Sequence, residues 1–515
     1  MRNKWKNGLR GFGWAIGLTL FCTVVACREE YRSFAQGEVV LRFSQDTIRF
    51  DTVLTAQTSI TKVITVRNTS EKAVSIDRVY LQGGAASRFR FNLSGDTAVW
   101  QRDVVIGGKD SLYLFVHTAI DYRDENNPFE IQDCILFERE GQKPQQVVLS
   151  AWGQDACYWV SDRKERVLYR DPLQTWQSDS LELSYFLWNE ADYPIRSERP
   201  YVIYGYLTVE AGQTLRIPAG SRFYFAPNSG IWIRNGARLE VEGSLATPVL
   251  FTSVRQDGNY RNMAGQWGRI WLGGESGPHR IDHAVIRNAQ SGVWLDSCTG
   301  TGGLEITNTR IENMSRHGLL ARQNRVEGVN TVVSESQVNL CLSEGGSYVF
   351  THCTFSNDYS GGAIGVYNRC LFLTNYETGE NGEKKVFPLQ KADFLNSIFY
   401  GRNSRQLEID LAELAGTAAE MRFSHCLIRM EPPFSDDRFN GCVWNQVPLF
   451  IAPDSYGFGI DTLASPAVGL GNPAYAVGAA ACDIVGRPRS DTATLTAGAY
   501  EFTPKDKGVF FHDGR

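Results

Sequence analysis

Missing from these 515 residues are a phosphate-binding glycine loop, the Ser/His/Asp signature of a hydrolase elbow, any Cys-x-x-Cys pair and any Cys/His cluster at zinc spacing. Those absences remove the standard local signatures of nucleotide, serine-hydrolase and zinc chemistry. Strong charge of either sign is missing too: a net charge of -5 is small for this length and gives no electrostatic case for nucleic acid. Long helical patterns are scarce, while 49 glycines and 12% aromatic residues favour β structure. The apolar run Gly11 to Ala26 ends at Cys27 and gives way to Arg28, Glu29 and Glu30. It is shorter than the roughly 20 residues of a spanning helix, so it is no membrane anchor by itself.

What is present begins with Arg2, Lys4, Lys6 and Arg10 ahead of that run, the basic and apolar regions of a secretory signal. The run closes in Val24-Val25-Ala26-Cys27, which resembles the bacterial lipobox. The resemblance implies cleavage before Cys27, lipidation of its thiol and a membrane partner reached through that lipid, with about 0.8 kcal/mol per buried CH₂ holding the chain in place. The acidic pair after Arg28 is similar to the surface-export signals of Bacteroidota lipoproteins. The expected location is the outer membrane, with the cell surface favoured over the periplasmic face. Eleven cysteines less Cys22 and Cys27 leave nine, an odd number that requires at least one free thiol. Most read as small buried fillers.

The expected fold class is all-β: an N-terminal β-sandwich, then a single-stranded right-handed parallel β-helix with a C-terminal cap. The segments are 1–26 signal peptide, 27–38 tether, 39–156 sandwich, 157–200 bridge, 201–442 β-helix, and 443–515 last coil and cap. Short strands such as Lys62-Val63-Ile64-Thr65-Val66 and Ser111-Leu112-Tyr113-Leu114-Phe115-Val116, separated by turn residues, have sandwich spacing. The phrase from Lys62 to Ser70 is similar to hydin-type immunoglobulin-like modules. The bridge is rich in charge and aromatics and has no assigned structure beyond a capping role.

From Tyr201, strands closed by glycines recur without helices between them. A polar-small-x-apolar tetrad repeats at Asn308, Asn330, His352 and Asn396, with His283 and His425 flanking. Steps of 22, 22 and 44 residues read as a coil of 22, the last step being two coils. Asn suits a turn of left-handed φ whose amide bonds to the next coil. Tyr201 to about Cys442 resembles the pectin-lyase-like β-helix family, and the tail from Ser465 to Glu501 resembles the C-terminal cap of Bacteroidota β-helix proteins, expected to close the open end of the sheet. That family contains lyases, hydrolases and adhesins, so fold alone does not choose a function.

The Asn-Thr-Asp and Gly-His-Gly signatures of the family's hydrolases are absent from the repeats, and Asp436-Asp437 reads as a solvated turn. The nearest candidates for lyase chemistry are Arg316, His317 and Arg322, a cationic base set that would require calcium against an acidic sugar. Otherwise no cofactor is expected. More suggestive are Trp232, Trp271 and Trp294, each between two aliphatics, whose alternation turns three indoles outward where they can stack on sugar rings. Steps of 39 and 23 residues fit two coils and one. The alternative is that another segment covers the column. The expected activity is non-catalytic binding of a glycan or an outer-membrane protein partner, against a polysaccharide lyase or hydrolase, or a structural subunit of an outer-membrane assembly.

Overall fold

The computed structural model describes residues 34–504 except 94, 174–178, 257, 301, 359–367, 380 and 415–418. Cys27 lies outside the described residues. The chain forms two units, one ending at Asp155 and the other starting at Ala156. Both are built from strands, and among the described residues the only helical segments are short 3₁₀ turns.

The first unit is a sandwich of two five-stranded sheets. One sheet runs Leu41–Phe43, Lys62–Asn68, Ser111–Thr118, Phe89–Leu93, Asp96–Ala98; the other runs Thr47–Leu54, Gln145–Gln154, Phe129–Glu138, Val74–Leu81, Trp100–Ile106. Alternation dictates this arrangement. Ile64, Val66, Leu114 and Val116 from the first sheet meet Ile76, Val79, Ile135 and Leu149 from the second in one core, while their strand neighbours face out.

The second unit is a right-handed parallel β-helix with three faces. Face one stacks Tyr201–Tyr204, Arg222–Phe225, Val249–Ser253 and Ala284–Arg287; face two stacks Tyr206–Val209, Gly230–Ile233, Ile270–Leu272 and Val293–Leu295; face three stacks Thr214–Pro218, Arg238–Glu242, His279–Asp282 and Leu304–Thr307. The long strands Arg310–Val329 and Val332–Thr351 then run through all three faces in one coil each. Pairing begins at Cys157–Val160 on Tyr201–Tyr204, earlier than the repeat announces itself in the sequence, and ends at Val443–Trp444. Inside, equivalent positions stack like on like. Phe350, Phe394, Phe423, Phe439 and Phe434 form a ladder with centroids 5.8, 4.6, 4.7 and 5.1 Å apart. Trp159, Phe186 and Tyr193 close the opposite end over Tyr201.

The coil length corrects one expectation. Thr354 pairs directly with Ile398, so the 44-residue step is one coil with an insertion, not two coils. Likewise Trp232 pairs directly with Trp271, so the step of 39 is also one coil. A fixed period in the core-facing strands tolerates long excursions between them because a surface loop adds little closure entropy as it lengthens.

The tetrad residues do occupy left-handed turns: φ is 48° at His283 and Asn308, 51° at Asn330, 52° at His352, 46° at Asn396 and 54° at His425. Their side chains bond from coil to coil, Asn330 Nδ2 donating to Asn308 Oδ1 at 3.1 Å. Beside them Thr309, Thr331, Cys353, Ser397 and Cys426 stack fully buried, where nothing larger fits. Asn308→Ala is therefore expected to destabilise the chain by about 1–3 kcal/mol through strain at positive φ, and Asn308→Gly by less. Equilibrium urea unfolding of both variants checks the order.

Candidate functional site

The three indoles of the sequence reading do turn outward from face two and stand in register, Trp232 opposite Trp271 and Trp271 opposite Trp294. They do not reach solvent: Trp232 is 8% exposed, Trp271 2% and Trp294 0%. The cover is a β-hairpin made from the bridge, Arg163–Tyr169 paired antiparallel with Asp179–Leu187. Its last residues, Tyr185 to Leu187, continue face two beside Tyr206–Thr208. Leu183 of the hairpin is buried in the tryptophan cluster, and Val167, Tyr169, Leu181 and Tyr185 pack against it. Tyr169 meets Trp294 edge-on at 5.8 Å and Tyr185 meets Trp232 at 6.2 Å. The polar handles are also occupied, since Asp296 accepts both the Trp271 Nε1 proton at 2.7 Å and the Trp294 one at 3.0 Å. An exposed sugar-stacking column is thus not what these residues form. The period-2 pattern Val167, Tyr169, then Leu181, Leu183, Tyr185 is the sequence signal that could have announced the hairpin.

The suggested catalytic set clamps this hairpin and its face. Arg316 donates from Nη1 to Asp171 Oδ2 at 3.0 Å, and His317 Nε2 lies 2.9 Å from Asp171 Oδ1. Asp171 and His317 are both buried. Burial alone would raise the Asp171 carboxyl, but the His317 hydrogen bond and charge, the Leu173 N–H and Arg316 outweigh it and hold the group at about 2. Arg322 is elsewhere, forked onto Glu344 at 3.0 and 3.2 Å and 3.6 Å from Asp296. Arg316 and Arg322 are therefore tied up in ion pairs and His317 is sealed from solvent. Among the described residues no group of three or more His, Cys, Asp and Glu is arranged to hold a metal ion.

Face one is also covered by the chain itself. The described part of the tail, 450–504, packs along the side of the coils rather than on the open end of the sheet, the place expected from the sequence. Phe458, Ile484 and Ala499 pack with Val332, and Ile460, Ala467 and Ala497 pack with Ile398 and Leu427. Arg489 Nη1 donates to Asn330 Oδ1 at 2.9 Å, fastening the tail to the asparagine ladder. The end itself is closed by Phe434 on Phe439. The reason is the outward row of face one, which beyond Arg310 presents Val332, Thr354, Ile398 and Leu427, largely apolar positions that need cover.

Face three stays polar. Its outward row of Arg216, Glu240, Arg280 and Glu305 stacks in register and pairs within itself, Arg216 to Glu240 at 2.8 Å and Arg280 to Asp282 at 3.5 Å. Such exposed pairs solubilise a face and add little stability.

The sandwich holds a shallow pocket of about 720 Å³ lined by Arg88, Arg123, Glu130, Gln132 and Asp133. Both carboxylates already accept bonds. Asp133 Oδ1 takes the Gly83 N–H at 3.0 Å and the Cys134 N–H at 2.7 Å. Hydrogen bonds from Gln132 and Ser150 hold Glu130 below its ordinary value. A carboxyl held low, as Glu130 is, is not tuned as a general acid.

With this geometry in view, residues 189–314 match the pectate-lyase-like β-helix domain. No curated protein matches the sequence. Among solved structures, a family 123 glycoside hydrolase from Clostridium perfringens, studied for glycolipid glycan hydrolysis, aligns at 8% identity with 24% of this chain and 30% of its own, at a TM-score of 0.17. The ASH/PapD-like domain of human CEP192 aligns at 11% identity with 25% of this chain and 94% of its own, at a TM-score of 0.17. The Agl-KA catalytic domain aligns at 9% identity with 74% of this chain and 79% of its own, at a TM-score of 0.21.

Proposed function

We propose that this protein is a lipid-anchored component of the outer membrane that binds a partner without turning it over, with the β-helix as a closed scaffold and the immunoglobulin-like sandwich as the recognition module. The observation that carries the reading is the cover on the β-helix. The tryptophan column of face two and the Val332, Ile398 and Leu427 stretch of face one are covered by its own hairpin and tail, Arg216 and Arg280 on face three have acidic partners, and Arg316, His317 and Arg322 are spent on structure. A lyase needs an unpaired base within reach of substrate, and these side chains have other work. Membrane attachment rests on Cys27 and its lipobox.

The test expresses the chain and Cys27→Ser with labelled palmitate, then incubates the purified full chain with acidic polysaccharides in the presence and absence of calcium. Label is expected on the parent alone, together with polymer retained at its starting length. Unsaturated or shortened products would overturn the non-catalytic reading, and an unlabelled parent would overturn the anchor.

A further inference from the structure

The outer face of the sheet that carries Lys62–Asn68 and Ser111–Thr118 exposes a cluster of large apolar side chains. Tyr113 is 63% exposed, Val63 47% and Phe115 39%, and pairing makes them neighbours: Val63 stands opposite Phe115, Thr65 opposite Tyr113, and Asn92 opposite Phe115 on the other side. The two rings project from one strand with centroids 6.5 Å apart. Large apolar side chains clustered on one open sheet face mark an interaction surface more often than a solvated one.

The charged side chains on this face of the four strands are of one sign. Arg42 pairs in register with Arg67 beyond Thr65 and Tyr113, and Arg90 stands opposite His117 beyond Phe115. Arg90 is braced from below by its Nη1 bonds to the Ser87 carbonyl at 2.7 Å and the Phe89 carbonyl at 2.6 Å. Arg42 and Arg67 form no ion pair among the described residues. The outward residues of these four strands are Arg42, Val63, Thr65, Arg67, Tyr113, Phe115, His117, Arg90 and Asn92, with no carboxylate among them. Face three of the β-helix shows the contrast, since there Arg216 and Arg280 each have an acidic neighbour.

We infer that this sheet face binds an acidic polysaccharide, with sugar rings lying on Tyr113 and Phe115 and carboxylate or sulfate groups held by Arg42 and Arg67 at one end and Arg90 at the other. This rests on the binding reading above and supplies its site and ligand class. Aromatic side chains offer π surfaces to the C–H faces of pyranose rings. A guanidinium grips a planar carboxylate through two parallel N–H bonds, which an ammonium does not match. Thr65 and Asn92 stand between the rings and the arginines, where a sugar hydroxyl finds a donor or an acceptor. A charged ligand is attracted most at low ionic strength, so binding should weaken with salt as exposed charges are screened.

The experiment measures binding of the full chain in detergent to polygalacturonate, a sulfated glycosaminoglycan, neutral dextran and polyglutamate of matched length, at about 50 and 300 mM salt. It repeats this with Arg42→Gln/Arg67→Gln and with Tyr113→Ser/Phe115→Ser, all exposed positions whose thermal transitions should match the parent. The expected result is salt-sensitive binding of the acidic glycans, at least about tenfold weaker in each variant, consistent with loss of one or two charge-assisted or stacking contacts. Dextran and polyglutamate should bind far less. Acidic-glycan binding unchanged in both variants would overturn this site and leave the binding reading standing. Equal binding of polyglutamate would overturn the sugar class, and no binding of any acidic glycan would overturn the inference outright. Depolymerisation would instead overturn the non-catalytic reading.

Discussion

Asp171→Asn is expected to release the hairpin 163–187 from the tryptophan column, seen as a red shift of tryptophan emission and faster amide exchange across the hairpin, with the coil stack still folded. The side chain keeps its size and loses its charge. Arg316 at 3.0 Å and the buried His317 at 2.9 Å then face an amide where a carboxylate stood. Removing one partner of a buried pair costs about 3–5 kcal/mol, mostly because the other is left uncompensated. That cost falls on the hairpin, most of whose contacts belong to the tryptophan cluster, while Phe186 at its end stays packed in the main core of the coils. The parent should behave the same way in acid. Asp171 is held at about 2 against an ordinary 3.8, so its contribution is fully present above about pH 4 and is lost as the pH falls through 2. Emission and exchange indistinguishable from the parent would show that the apolar contacts hold the hairpin without the clamp.

How much of this was legible in the sequence depends on whether a residue's role is local. The asparagine and histidine turns were legible because left-handed φ and coil-to-coil bonding are properties of single positions repeated in register. The direction of the indoles was legible for the same reason, since alternation along a strand needs no partner. Their burial was not. It depends on a hairpin contributed by the bridge, and the decisive contact joins Asp171 to Arg316 and His317 across some 145 residues. Arg316 and His317 read as reactive because a cation and an imidazole side by side suit a base, and only the third partner shows that they are a clamp. The two long steps misled for a related reason: Trp232 to Trp271 and His352 to Asn396 span insertions that spacing cannot distinguish from extra coils. The outer sheet of the sandwich escaped notice because Val63, Tyr113 and Arg67 look like ordinary strand residues until pairing places them on one face.

Arg489→Met is expected to detach the tail. The guanidinium is fully buried and serves many acceptors at once: Asn330 Oδ1 at 2.9 Å and the carbonyls of Ala480 at 3.2 Å, Cys482, Gly498 at 3.1 Å and Ala499 at 3.2 Å. It also lies 3.5 Å from Glu501. Met fills much of the same volume but donates to none of them. Each buried carbonyl left unpaired costs about 1–3 kcal/mol if nothing replaces the donor, and Glu501 loses its counter-charge. The loss is expected to be on the order of 3–5 kcal/mol, enough to free 450–504 while the coils persist, and to uncover Val332, Ile398 and Leu427. Limited proteolysis should then cut within the tail first, and a hydrophobic dye should bind the bared face. Burial already pushes Glu501 up to about 7 from 4.5, against the pull of Arg489 and the Thr496 hydrogen bonds. A carboxyl raised in the folded state favours folding below about pH 4.5, and that contribution is lost as the pH rises through 7. The parent tail should therefore be more protease-resistant at pH 5 than at pH 8. In Arg489→Met the contrast should shrink, because a freed tail leaves Glu501 in water and removes the burial that raised it. Equal cutting of parent and variant at both pH values would show that the apolar contacts to face one, and not this buried arginine, fasten the tail.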